Sequence, residues 1–215
     1  MVKEELGLRE LKKQLTRETI ANAALQLTLD KGLSGVTIEE IAQVAFVSPR
    51  TVSNYFSCKE EAVVTAGGDA STDLIEEFTQ RPKDEAPLEA LRQVVTNFVA
   101  STTPEDLRLS VQKMQLIDDN PSLRPYQVAQ HAHLEELLRL KIAERTGGDV
   151  DRDLYPWLAA AAAVTAVTAA MRLWAKSDSS PEELTRLVQT AFTLTSDGLP
   201  SPTPGDSSER SSHVD

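Results

Sequence analysis

From Thr37 to Phe56 the chain reads TIEEIAQVAFVSPRTVSNYF, and its apolar positions fall at helical spacing in two short blocks. In the first, Ile38, Ile41 and Ala42 share one face, as a helix packed on a core requires. Thr37 before it is a good N-cap, and Glu40 three residues on completes a capping box. The second block opens at Ser48, another capping residue, with Pro49 at the first helical position, where a missing N–H is harmless. Val52 and Phe56 lie four apart and form its inner face. Arg50, Thr51, Ser53, Asn54 and Tyr55 remain outside, donors and acceptors of the size that reaches phosphates and base edges. Two short helices joined by a tight turn, with such an outer face, are the outline of a helix-turn-helix. Any helical hairpin has a polar outer face, so the flanks must add weight.

They do. Before the hairpin, Ile20, Ala24 and Leu27 mark one side of an amphipathic helix over roughly Arg17 to Asp30, preceded by Arg9, Lys12 and Lys13. After it, Ser57 and Glu60 read as N-cap and reciprocal partner of the next helix. Lys59 then stands at a helix start, where a cation opposes the helix dipole, and a DNA phosphate accounts for it better than stability does.

Beyond the hairpin the pattern stays helical, with little strand signal. Helices are predicted from Ser57 towards Gln80, over Leu88 to Ser101, from a Thr103-Pro104 start to Asp118, from Asn120-Pro121 to Thr146, from Asp153 to Lys176, and from a Ser180-Pro181 start to Asp197. Gly147-Gly148 ends the long fourth one. Gly67-Gly68 inside the first is either a hinge or a site of close packing or early termination. From Gly198 the chain is Pro, Ser, Gly and Asp, and reads as a disordered tail. The fold class is all-α.

At this point the stretch from about Arg17 to Val64 resembles the DNA-binding domain of the TetR/AcrR family of transcriptional regulators, of the actinobacterial type. The resemblance rests on Thr19 to Leu25, Thr37 to Ala42, Val47 to Phe56 and Ser57 to Glu60, about a quarter of the chain. It implies an N-terminal arm and helix-turn-helix domain over 1–56, a helical ligand-binding and dimerisation bundle over 57–197, and the tail over 198–215. It also implies DNA contacts from Lys13, Arg17, Thr37, Ser48, Pro49, Arg50, Thr51, Ser53, Asn54, Tyr55 and Lys59. Two positions depart from the family's pattern. Phe46 stands where the turn usually carries Gly, a left-handed position; either its burial offsets the strain or the turn is looser. Ser53 stands where the family often has an aromatic residue.

The formal net charge of −11 over 215 residues is unusual for a protein that meets DNA. Residues 1–66 carry 8 Lys and Arg against 9 Asp and Glu, so nearly all the excess acid lies further on. DNA attraction needs a local patch rather than a basic protein, but steering will be weak and binding salt-sensitive. Cys58 is the single cysteine, which excludes an internal disulfide. It is either a redox switch at a helix N-terminus or a filler of a variable surface position. The charged N-terminus is not a signal peptide. Leu154 to Met171 runs eighteen residues without a charge, the lower limit for a membrane span, but is mostly Ala and reads as a buried helix. A cytoplasmic protein without a membrane partner is expected.

The resemblance implies a homodimer and a small effector. The Ala-rich helix and the last helix would form a four-helix interface through Ala162, Ala166, Ala169, Leu184, Leu187, Val188 and Ala191; the other reading makes the Ala-rich helix central in the monomer core. Phe98, Gln112, Met114, His131, Trp157 and Trp174 are candidate contacts for an apolar or amphipathic effector. His131 and His133, two apart, diverge on a helix and make no metal pair. No cofactor motif, phosphate-binding loop or catalytic constellation is present, so an enzyme is not expected. The expected function is a dimeric regulator, a repressor, that binds a palindromic operator in double-stranded DNA and is released by a small ligand. The alternative is the same fold controlled by a partner protein or by abundance.

Overall fold

A computed structural model describes residues 2–67, 70–176 and 180–200. Among these it contains ten α-helices and no strand. Four build the N-terminal unit: α1 (Val2–Lys31), α2 (Ile38–Val44), α3 (Pro49–Tyr55) and α4 (Lys59–Thr65). Six follow: α5 (Ala70–Gln80), α6 (Pro87–Ser101), α7 (Pro104–Asp119), α8 (Arg124–Thr146), α9 (Leu154–Trp174) and α10 (Pro181–Ser196).

Local chemistry explains the short helices. At α2 the capping box is complete: the Glu40 N–H donates to Thr37 Oγ1 at 3.3 Å, and the Thr37 N–H donates to Glu40 Oε2 at 3.0 Å. The Glu40 carboxyl is held below the usual carboxylate range by Lys31 first and then by Thr37. At α3 the Thr51 N–H donates to Ser48 Oγ at 3.0 Å, and Pro49 takes the first turn.

The start of α4 differs from expectation. Its N-cap is Cys58, whose sulfur accepts from the Glu61 N–H, while both the N–H and hydroxyl of Ser57 donate to Glu61 rather than Glu60. The cap is therefore displaced by one residue, and the Glu61 carboxylate closes back on Ser57, the residue before the cap.

Other boundaries move for physical reasons. Helix α1 begins at Val2 rather than Arg17; Leu8, Leu11 and Leu15 of its first half keep helical spacing but stand in solvent. The helix expected from Ser57 to Gln80 is two helices, because α4 ends at Thr65 and Gly67 adopts a left-handed φ of +72°. Gly67 thus closes a helix instead of hinging one, and Gly68 lies outside the described residues. Gly147 ends α8 at φ +70° as expected. Helix α10 stops in a turn where the Leu199 N–H donates back to Leu194 O at 2.8 Å; of the expected tail, 201–215 lie outside the described residues.

Two apolar cores result. The first gathers Ile20, Ala24, Val36, Ile41, Val52, Phe56, Val63 and Val64, so α4 packs with the hairpin rather than with the bundle. It also takes Ile117 from α7 and Leu123 from the turn before α8. The second gathers Phe78, Val94, Leu107, Ile142, Ala163, Trp174, Leu184, Val188 and Phe192 from the six later helices. Arg145 closes this bundle's end by donating to the carbonyls of Phe78, Arg81 and Glu85 around the α5–α6 connection.

The turn between α2 and α3 resolves the question about Phe46. It carries both bonds of a Schellman motif: Phe46 N–H to Gln43 O at 3.3 Å and Val47 N–H to Ala42 O at 2.9 Å. The turn is therefore not loosened. Phe46 sits at φ +55° and is 93% exposed, so burial does not offset the strain, which is about 1–2 kcal/mol for a side chain in this region.

Candidate nucleic-acid interface and ligand cleft

With Val52 and Phe56 buried, α3 turns Pro49, Arg50, Ser53 and Asn54 outward. Arg50 and Asn54 lie one turn apart on this face and make no hydrogen bond or ion pair within the described residues. The hydroxyl of Ser53 donates to Pro49 O at 3.2 Å, and those of Ser48 and Thr51 lie 2.8 Å apart. Tyr55 is half-buried, and Thr37 is occupied as a cap. Lys13 is exposed on α1, loosely paired with Glu10 at 3.9 Å.

Two predicted contacts are otherwise engaged. Lys59 Nζ donates to Leu33 O at 2.7 Å and Val36 O at 2.8 Å. It satisfies the carbonyls of the turn between α1 and α2, so its position at a helix start is explained by stability after all. Arg17 donates to Tyr55 O at 2.9 Å, lies 3.8 Å from Glu61 and stacks 4.4 Å over the Phe56 ring. Its guanidinium fastens α1 to the end of α3. Spacing along the chain showed these cations beside the hairpin; only the fold shows that backbone carbonyls claim them.

In the second unit, α7 faces the end of α9 and the start of α10 across an open cleft of about 720 Å³. Leu107, Val111 and Trp174 give it apolar walls, and Arg108, Gln112, Gln115 and Lys176 give it polar ones. Of the six predicted ligand contacts, Gln112 and Trp174 line this cleft. Phe98, Met114 and His131 are half-buried and not among its lining residues; burial pushes the His131 imidazole below its usual pKa. Trp157 is removed from it: its exposed ring receives the Arg139 guanidinium at 4.1 Å, and Arg139 is held by Glu136 and Val150 O. Arg108 and Lys176 were missed in the sequence, because nothing in their local pattern sets them apart from solvated charges.

Besides Ile117 and Leu123, a polar side chain links the two units. Lys113 of α7 reaches the end of α4, donating to Val64 O at 3.0 Å and Ala66 O at 2.6 Å. Burial pushes its pKa down to about 8. A neutral amine keeps two N–H donors, enough for the two carbonyls it meets.

The outer flank of α9 and α10 is apolar and uncovered. Leu154, Leu158, Ala169 and Leu173 of α9 and Leu194 of α10 are exposed, with Ala162, Leu187 and Ala191 half-buried beside them. Three predicted interface residues belong elsewhere: Ala166, Leu184 and Val188 are buried in the chain's own core, so they are unavailable to a second copy. Counting every small or apolar residue of α9 blurred its two faces. Helix α9 is long and apolar enough to cross a membrane, but its Ala159, Ala160, Ala163 and Ala170 pack inside the bundle.

Residues 20–63 match the family described as bacterial regulatory proteins, tetR family, and residues 85–200 match the MftR C-terminal domain. The second match alone spans more than half of the chain. The chain belongs to the TetR family. It is 30% identical over 155 residues to the HTH-type transcriptional regulator TcmR of Streptomyces glaucescens, covering 70% of this chain and 69% of that one. Among solved structures it is similar to Thermus thermophilus FadR, a TetR-family repressor in complex with lauroyl-CoA. That likeness has 24% identity and a TM-score of 0.53, over 88% of this chain and 99% of the other. SmeT, the repressor of the Stenotrophomonas maltophilia multidrug efflux pump SmeDEF, gives 21% identity and a TM-score of 0.54 over 87% and 97%. TetR-family proteins are DNA-binding transcriptional regulators and generally not enzymes, and the all-helical fold matches theirs.

Proposed function

We propose that this TetR-family regulator is a cytoplasmic homodimeric repressor that a small amphipathic molecule releases from a palindromic operator. Two copies join along the open flank of α9 and α10. Each α3 enters one of two successive major grooves, which lie about 34–36 Å apart. The observation that carries ligand control is the double employment of α7. Its Leu107, Val111, Gln112 and Gln115 line the cleft, and its Lys113 holds the end of α4. A ligand that shifts α7 shifts α4 and with it the hairpin, so that ligand and DNA affinities are linked. The cleft volume is of the size that accepts small molecules. FadR was solved with lauroyl-CoA, an apolar acyl chain on a charged nucleotide carrier, and SmeT with the apolar triclosan, which supports an effector with an apolar portion.

The test is selection of genomic fragments with the purified protein at one stated salt concentration, followed by titration of amphipathic molecules against the recovered DNA. Recovery of a palindrome that one of them releases supports the proposal. A palindrome that no small molecule releases favours the alternative, control by a partner protein or by abundance; the openness of the cleft at the surface leaves room for a partner segment. Recovery of unspecific DNA alone removes the operator reading.

A further inference from the structure

The turn of the hairpin keeps a feature that folding does not explain. Phe46 occupies a left-handed backbone position at φ +55° and is 93% exposed. Both bonds of the Schellman motif form through backbone atoms, so the side chain contributes nothing to the turn. Glycine would serve the turn without strain, and any polar residue would suit the exposure better. Strain held at an exposed position points to a contact made outside the folded chain. Val44, two residues earlier and the last of α2, is exposed as well, while Ala45 between them is buried as the anchor.

The position of this apolar tip says what it meets. Phe46 precedes Ser48, the N-cap of α3, by two residues, and Arg50 and Asn54 follow on the outward face. The N-terminal residues of a recognition helix are those that reach base edges. A side chain projecting from the turn just before them therefore stands at the rim of the groove. Apolar DNA surface there consists of thymine methyl groups and the carbon faces of deoxyribose, and aromatic side chains contact thymine methyls directly.

We infer that Phe46 is a DNA contact, packing against apolar surface at the edge of the major groove. The inference rests on the reading of α3 as the helix that enters DNA. Phe46 neutralises no phosphate, so it adds affinity without adding to the salt dependence.

The experiment uses the full chain and a duplex bearing the palindrome recovered by fragment selection. Phe46→Gly and Phe46→Asn are compared with the parent, and Arg50→Ala is the control for α3. Both Phe46 variants are expected to keep or raise Tm, because Gly and Asn accept a left-handed backbone. Both are expected to bind the palindrome about 5- to 20-fold more weakly, with the same slope against salt, each lost methyl or ring contact falling within the range of one base contact. Deoxyuridine placed for thymidine at single half-site positions separates the two sources. If one replacement weakens the parent but not Phe46→Gly, the partner is that thymine methyl; if none does while the variants stay weak, it is deoxyribose. Unchanged affinity in both variants beside a weakened Arg50→Ala overturns the contact and spares the role of α3. A fall in Tm matching the loss of binding makes Phe46 structural and also overturns it. Unchanged binding in all three variants removes the α3 reading and the contact together.

Discussion

The two units of this chain differ in what they leave unsatisfied. In the N-terminal unit the groups that shape the hairpin are engaged within the chain. Thr37, Ser48 and Cys58 cap helices, Lys59 fills two carbonyls, and Arg17 fastens α1 to α3. On α3 and its turn, Arg50, Asn54 and the strained Phe46 point outward. The second unit leaves large features open, an apolar flank on α9 and α10 and an amphipathic cleft beside α7. A short hairpin must be completed by its own residues, whereas a bundle can keep surfaces in reserve for another copy and a ligand. An exposed apolar stripe of this kind marks an interaction site.

The contrast is broken most severely at the open flank. Leu158→Glu combined with Leu194→Glu places charge on both exposed helices without touching the buried Leu184 or Val188. The pair is expected to yield a helical monomer by light scattering and to lower affinity for the palindrome by about 100-fold or more, since the second half-site is no longer tethered. A dimer with normal affinity would place the interface elsewhere.

A sharper test sets two cations of the first unit against each other. Lys59→Ala leaves the Leu33 and Val36 carbonyls without their charged donor and should cost about 1–3 kcal/mol of stability, with DNA affinity of the folded protein unchanged. Arg50→Ala should do the reverse, weakening operator binding by about 1–3 kcal/mol with Tm unchanged. Thermal melts and gel-shift titrations on both variants decide it; matching behaviour would erase the distinction between an employed and a free cation.

The smallest effect lies at the joint between the units. Lys113 has a folded-state pKa of about 8 against an ordinary 10.5, so the folded chain releases this proton first. Between those values the unfolded chain binds more protons, and stability from this group rises with pH. Lys113→Met should lose that rise while the parent keeps it, as read from Tm at pH 7.5 and 9.5. Identical pH profiles would mean that the amine stays charged against its carbonyls.

The same contrast explains what was legible. Caps, Pro49 and the i, i+4 pair Val52 and Phe56 act within a few residues, so α2 and α3 could be read directly from the chain. The first half of α1 carries Leu8, Leu11 and Leu15 at helical spacing, a stripe that no part of the chain covers. The bonds of Lys59 were not legible, because the Leu33 and Val36 carbonyls lie more than twenty residues away in sequence. On α9 the small residues face both inward and outward, and composition does not separate Ala166 in the core from Ala169 outside. The cleft draws on α7, α9 and α10 together, a convergence that no local pattern encodes.

The first core borrows Ile117 and Leu123 from beyond the sixth helix. The two units are therefore not separable cassettes. A chimera spliced after α4 would graft a hairpin onto a foreign α7 and take the buried Ile117 and Leu123 out of the first core unless those two positions travelled with it. Exchange of the N-terminal four helices is thus constrained at two residues far from the splice.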